Sequence, residues 1–336
     1  MTSSSSNHAF LLLLFVAAAS GALTGPPPLN GYGGDANQVS VSGLSSGGFM
    51  AVQLHVGFSK TFMGVGVVAG GPYYCAQANL MFALTECMVS PVGINIDWLI
   101  QVTKNTALTL TIDATSNMAK DKVYLYTGTN DGTVVPGVMD HLNTYYNAFV
   151  DSSGIKMISS MPSGHAFITD NYGNECTVAS KAPYISNCDY NQAYEILDHI
   201  YGPGLIKPDS SMIAGGEFLE FDQTEYQPAF GTASLDDVGY VYVPTGCMSS
   251  TGCRVHVSLH GCKQGRKFLD NEYAMHTGYN EVAELNNIIV IYPQATTSLS
   301  NGNGCWDWWG YTGLDYACKL ADQMKAVKAM VDRVLS

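Results

Sequence analysis

With 336 residues, 46% of them hydrophobic, the chain can bury a sizeable core, as one large globular domain or two small ones. Only 13% of the residues are charged, against ~25% in typical soluble domains, and the net charge is −13 with no Lys/Arg cluster. That argues against nucleic acid and anionic membrane surfaces as partners and favours a neutral ligand.

The N-terminus opens with an unbroken apolar run, Phe10 to Val16, followed by small residues from Ala17 to Ala22. This is the pattern of a secretory signal over residues 1–22, cleaved near Ala19 or Ala22, although the preceding segment lacks Lys and Arg. The run is shorter than the ~20 apolar residues that span a bilayer, and no second stretch qualifies, so stable membrane insertion is not expected. Residues 23–336 are expected to form one secreted, extracellular domain, with a monomer expected. Nine cysteines agree with export. Eight fall into sequential neighbours, which predicts the local pairs Cys75–Cys87, Cys176–Cys188, Cys247–Cys253 and Cys305–Cys318 and leaves Cys262 over. Sequence alone cannot prove this connectivity. No His/Cys spacing resembles a zinc site, and there is no N-x-Ser/Thr sequon.

Gly25 to Asp35 reads as an irregular arm. Val39 to Ser42 is a short strand, and Phe49 to Phe58 is apolar at helical spacing. Met63 to Ala69, Asp121 to Tyr126 and Ile155 to Ser159 read as further strands. Gly202 to Asp209 is a long surface loop rather than a domain boundary. Val238 to Val243 and Arg254 to Leu259 are strands, Glu281 to Asn286 is helical, and Asn287 to Tyr292 is a β-branched buried strand. The chain ends in a helix from about Tyr316, with Leu320, Met324, Val327, Val331 and Val334 on one stripe. Alternating strands and helices predict an α/β fold with a mostly parallel central sheet and helices on both faces.

Between the first strand and the first helix stands Gly43-Leu44-Ser45-Ser46-Gly47. The pattern G-x-S-x-G marks a strand-to-helix turn so tight that small residues must flank a serine exposed above the sheet. A Gly/Ser turn can match by chance, but the flanking strand and helix are those the elbow demands. Such a serine needs a histidine base, and the histidine a carboxylate. Asp131 follows the strand Asp121–Tyr126, and His165 follows Ile155–Ser159. Both lie just past strand ends, where open α/β sheets place their ligands, and in the order serine, acid, histidine. An ordinary Asp-Gly turn is the lesser reading of Asp131. The rivals Asp140, His141 and His199 sit in helix-like segments, His276 has no strand-end context, and His55 lies on the helix after the elbow in a packing or surface position.

Acyl transfer also needs two backbone N–H groups aimed at the oxyanion. Ser46 supplies one. The second usually comes from a His-Gly loop upstream of the nucleophile, but here that loop, Leu259-His260-Gly261-Cys262, comes after His165. The chain therefore reads as circularly permuted, with the N–H of Cys262 as second donor and its thiol unpaired at a buried strand end. A Cys262 nucleophile is the lesser alternative, because Ser45 already has a base and an acid.

The runs VSGLSSGGFMAVQLHV, GTNDGTVVP, SGHAF, LHGC and GCWDWWGYTG occur in this order from about Gln38 onward. Together they resemble the circularly permuted poly(3-hydroxybutyrate) depolymerases of fungal type. The resemblance implies a single α/β-hydrolase domain that cleaves polyester without cofactor or metal. By motif it puts the nucleophile on Ser45, the acid on Asp131, the base on His165 and the oxyanion donors on Ser46 and Cys262. Trp306, Trp308, Trp309 and Tyr311 are candidates for an apolar rim, with Trp306 and Trp309 favoured to line the substrate crevice and core packing as the other reading. Two alternatives remain: a carbohydrate esterase for feruloyl or acetyl esters, and a catalytically silent secreted binding protein. A histidine base must be neutral to act, so activity is expected to fall in acid.

Overall fold

The computed structural model describes Met1, residues 25–230 and residues 233–336. The secretory signal expected over residues 1–22 lies, Met1 apart, outside the described residues. In chain order the elements are β1 (Val39–Leu44), α1 (Ser46–Gly57), β2 (Gly64–Val68), α2 (Leu80–Leu84), α3 (Ile96–Leu108), β3 (Lys122–Tyr126), α4 (Pro136–Tyr146), β4 (Ile155–Ile158), β5 (Phe167–Thr169), β6 (Asn174–Glu175), β7 (Ile185–Asn187) and α5 (Gln192–Tyr201). Then follow β8 (Glu217–Asp222), β9 (Val238–Val243), β10 (Arg254–Leu259), α6 (Arg266–Leu269), α7 (Glu272–His276), α8 (Tyr279–Asn286), β11 (Ile288–Tyr292) and α9 (Asp322–Leu335).

Eight strands form one sheet in the order β4-β3-β2-β1-β10-β11-β9-β8. From β4 to β11 every neighbouring pair is parallel; β9 runs antiparallel to both β11 and β8. The central strands β1, β2 and β11 are buried along their whole length; β11 (IIVIY) reads as a continuous apolar run, whereas β1 (VSVSGL) alternates valine with buried serine. In register, Gly43 of β1 faces Leu259 of β10, so the segments that follow the two strands leave the sheet side by side.

Successive side chains on a strand face opposite sides. On one side Ser40 and Ser42 of β1 meet Tyr201 at the end of α5 and Tyr279 of α8. On the other α1 packs along β1 and β2, and α9 lies against β10. α1 is buried all round, and His55 within it is a packing residue, hydrogen-bonded to Tyr146 and Asp121. The end of α9 is tied to the arm before β1: the Tyr32 N–H donates to Val334 O (3.1 Å) and the Gly33 N–H to Ser336 O (2.9 Å).

Two buried histidines hold the strand that neighbours β1. The His256 ring lies between the hydroxyls of Ser40 (2.6 Å to Nδ1) and Ser42 (2.7 Å to Nε2), and burial pushes its pKa down to about 3. His260, just past β10, accepts from the Ala295 N–H at Nε2 and so carries its proton on Nδ1, which donates to Gly261 O. Burial pushes its pKa down to about 4. Both rings hold protons less tightly folded than unfolded, where a histidine titrates near ~6.5. The unfolded chain therefore binds more protons in this window, and stability that is complete above ~6.5 declines as pH falls toward 4 and below. Thermal unfolding measured from pH 7 down to pH 4 is expected to show a falling Tm; a constant Tm across that range would contradict neutral buried rings.

Three departures from the sequence reading have physical reasons. The last helix begins at Asp322, not near Tyr316, and Leu320 lies outside it and is exposed. The segment before it is held as turns by Cys318 N–H to Asp315 O and by Lys319 N–H to Thr111 O. The small sheet β5-β7-β6 went unread because strands of two or three residues show no periodicity. Disulfides Cys75–Cys87, Cys176–Cys188 and Cys247–Cys253 are present, but the expected Cys305–Cys318 bridge is not. Cys305 instead bonds Cys262, and Cys318 is the free, buried thiol. The loops after β10 and β11 are stitched together by Lys263 N–H to Asn303 O (2.8 Å) and Trp306 Nε1–H to His260 O (3.0 Å), which brings cysteines 43 positions apart into contact.

Candidate active site

Ser45 occupies the junction of β1 and α1 with φ 59° and ψ −121°, backbone values that cost a non-glycine residue energy. Two hydrogen bonds hold it there: its N–H donates to Val68 O on β2 (2.9 Å), and the Phe49 N–H donates to its carbonyl (3.0 Å). Glycine is required on both sides. A Cβ at Gly43 would lie 2.3 Å from the Gly47 carbonyl, and one at Gly47 would lie 2.3 Å from Leu259 O. The serine therefore stands at the N-terminus of α1, where the helix dipole favours negative charge.

The loops after β3 and β4 are zipped together beyond the strand ends. The N–H groups of Thr127, Thr129 and Asn130 donate to the carbonyls of Ile158, Met161 and Ser163. This ladder sets Asp131 beside His165. Asp131 Oδ2 accepts from His165 Nδ1 at 2.8 Å, while Oδ1 accepts from the N–H groups of Thr133 and Val134, both at 2.9 Å. The carboxylate is buried and held from two sides, so the ring it faces has one orientation.

The His-Gly loop arrives from β10. A Cβ built on Gly261 would lie 3.4 Å from Ser45 Cβ, so this loop borders the serine directly. Gln264 shapes it: its Oε1 accepts from the Gly261 N–H (2.8 Å), and its Nε2 donates to the carbonyls of Pro183 and Tyr184. Among the described residues no acceptor is hydrogen-bonded to the N–H of Ser46 or of Cys262. The thiol of Cys262 is not unpaired, as the sequence suggested, because the bridge to Cys305 consumes it and anchors the tryptophan-rich loop against the His-Gly segment.

In that loop Asp307 is the organiser. Its carboxylate accepts from the N–H groups of Gly310, Tyr311 and Thr312, and burial raises its pKa above the ordinary aspartate range. Trp306 is fully buried against His260 and does not line the cavity, so its expected crevice role is overturned. Its indole N–H is spent on the His260 carbonyl, which faces it inward. Trp308 takes the crevice position, stacked on Phe49 with ring centroids 3.9 Å apart, and Trp309 lines the cavity beside it.

Ser45 and His165 line one cavity of about 430 Å³, walled by the elbow, the His-Gly loop and the tryptophan loop. No hydrogen bond joins Ser45 to His165 in this structure; catalytic contacts of this kind commonly tighten only when substrate is bound. Thr133, Ser180 and Tyr184 line the cavity too, and a further wall is α2, whose Leu80 and Leu84 line it and whose Met81 is exposed. Sequence reading missed α2 and Gln264, and it favoured Trp306 over its fellow candidate Trp308. The only available signals were the Trp308 position within WDWW and the glutamine two residues after Cys262. Asp140, His55, His141, His199 and His276 do not line this cavity.

No protein-family model matches the chain. It is 46% identical over 305 residues to a poly(3-hydroxybutyrate) depolymerase of Delftia acidovorans, a match spanning 90% of this chain but 60% of that longer protein. It is 36% identical over 329 residues to a polyhydroxybutyrate depolymerase of Talaromyces funiculosus. Two solved structures superpose with TM-scores of 0.84 and 0.83, each at 35% identity over 92% of this chain and 98% of the other. They are a serine-to-alanine variant of a PHB depolymerase complexed with an R3HB trimer, and the PHB depolymerase from Penicillium funiculosum. With 36% identity across 92% of both the chain and its Talaromyces relative, and the same fold in the solved structures, this chain belongs to the poly(3-hydroxybutyrate) depolymerase family.

Proposed function

We propose that this chain is a secreted serine carboxylic-ester hydrolase that cleaves poly(3-hydroxybutyrate) or its oligomers through an acyl-enzyme. The observation that carries the reading is the 2.8 Å bond from His165 to Asp131, with His165 lining the same cavity as the elbow serine. Ser45 Oγ attacks the ester carbonyl as His165 Nε2 takes its proton. Asp131 keeps the other ring proton on Nδ1 and stabilises the imidazolium. The N–H groups of Ser46 and Cys262 receive the oxyanion, one good donor being worth ~3–4 kcal/mol. His165 passes the proton to the leaving alcohol, and water then hydrolyses the acyl-enzyme with His165 again as base.

The cavity suits a neutral, mostly apolar chain. Leu80, Leu84, Trp308 and Trp309 present hydrocarbon, and the exposed apolar side of α2 continues it outward. Export is supported by the N-terminal apolar run and by four disulfides. Residues 1–22 are the signal and 23–336 one catalytic domain. The hydrogen-bonded chain ends support a circular permutation: joining α9 to β1 would place a helix before the elbow strand and β10 upstream of it.

The decisive assay sets a poly(3-hydroxybutyrate) film and 3-hydroxybutyrate oligomers against feruloyl and acetyl sugar esters. Polyester and oligomers are expected to be hydrolysed with kcat/KM at least tenfold above the sugar esters. The reverse order would transfer the site to carbohydrate esters.

A further inference from the structure

From the cavity mouth we infer a carboxylate-binding subsite at Lys263 that favours cleavage at the carboxyl end of the substrate chain. The inference rests on the esterase reading above. Among the described residues lining the cavity, Lys263, His165 and Tyr184 are the titratable side chains, and there is no Asp or Glu. Lys263 is exposed and enters none of the ion pairs among the described residues. In a chain with 28 acidic and 15 basic residues, an unpaired cation at the mouth of an otherwise neutral cavity offsets a field that repels anions.

The position is also one that lysine does not choose. Lys263 has φ 58°, a left-handed backbone that glycine or asparagine adopts at lower cost, locked by its N–H donating to Asn303 O at 2.8 Å. It directly follows Cys262, whose N–H is the proposed oxyanion donor.

The chemistry of a polyester supplies the anion. In the last ester bond of a 3-hydroxybutyrate chain the leaving alcohol is the terminal hydroxy acid, whose carboxylate lies three carbons from the ester oxygen. Lys263 holds that carboxylate while the bond beside it is cleaved. The terminal unit then departs as the free hydroxy acid anion, its alcohol oxygen taking the proton that His165 removed from Ser45.

The test compares kcat/KM for the 3-hydroxybutyrate trimer as free acid and as methyl ester in the wild-type protein, Lys263→Met and Lys263→Arg. The acid-to-ester ratio is expected to fall about fivefold in Lys263→Met and to be kept in Lys263→Arg. Raising salt from ~0.01 to ~1 M, which shortens the screening length from ~30 to ~3 Å, is expected to lower the wild-type ratio and leave that of Lys263→Met flat. Equal ratios in wild type and Lys263→Met, or a wild-type ratio insensitive to salt, overturn the subsite. Failure of the wild-type protein to cleave the methyl ester as well would overturn the esterase reading, and the subsite with it.

Discussion

Ser45→Ala is expected to fold normally and to lose ester hydrolysis by about 10⁶-fold in kcat, the scale seen when a triad nucleophile is removed. The substitution keeps the Cβ and asks nothing new of the backbone, because the serine already holds φ 59° through its bonds to Val68 and Phe49. What disappears is the one atom that bonds to the acyl group. A residue far below that scale would persist from the oxyanion donors and binding alone. A fluorophosphonate reagent is expected to label the wild-type protein once and Ser45→Ala not at all. Labelling that survives the substitution would move the nucleophile elsewhere, and a wild-type protein that takes no label would favour a silent binding protein.

The second large effect is expected at Asp131→Asn, with kcat lowered about 10⁴-fold and Tm little changed. The reason lies in how the carboxylate is held. Oδ1 accepts from the N–H groups of Thr133 and Val134, so an asparagine keeps its amide oxygen on that side. Its NH₂ then faces His165 Nδ1, where Asp131 Oδ2 now accepts. A ring that must accept at Nδ1 carries its proton on Nε2, toward the serine, and can no longer take one from it. Kinetics together with a circular dichroism melt check both halves. A loss smaller than tenfold would mean that another group orients the histidine.

These two predictions concern residues that were legible before any coordinates. The elbow is a local pattern: G-x-S-x-G between a short apolar strand and a helical run has one steric solution, and the near-clashes at Gly43 and Gly47 show why. Asp131 and His165 were readable because each follows a strand marked by its own apolar run. The parallel sheet was readable from the alternation of strand-like runs with helical stretches along the chain.

Where the reading failed, the missing information was nonlocal. Neighbouring cysteines suggested Cys305–Cys318, but the partner was set by hydrogen bonds between loops that follow different strands, from Lys263 to Asn303 and from Trp306 to His260. The choice between Trp306 and Trp308 was of the same kind. Three tryptophans within four positions look alike in sequence, and only the path of the loop around Asp307 decides which ring meets the core and which meets Phe49.

From its sequence alone, then, this protein declared its α/β class and offered Ser45, Asp131 and His165 as candidates, because strand patterning and turn chemistry act over a few residues. The structure pairs Asp131 with His165 at 2.8 Å, and Ser45 and His165 line one cavity. The tertiary structure decided which loops touch, hence the bridge from Cys262 to Cys305, the crevice tryptophans, the apolar wall of α2 and the placement of Lys263. Contacts between segments far apart in the chain depend on how the whole sheet is assembled, and no local pattern encodes them.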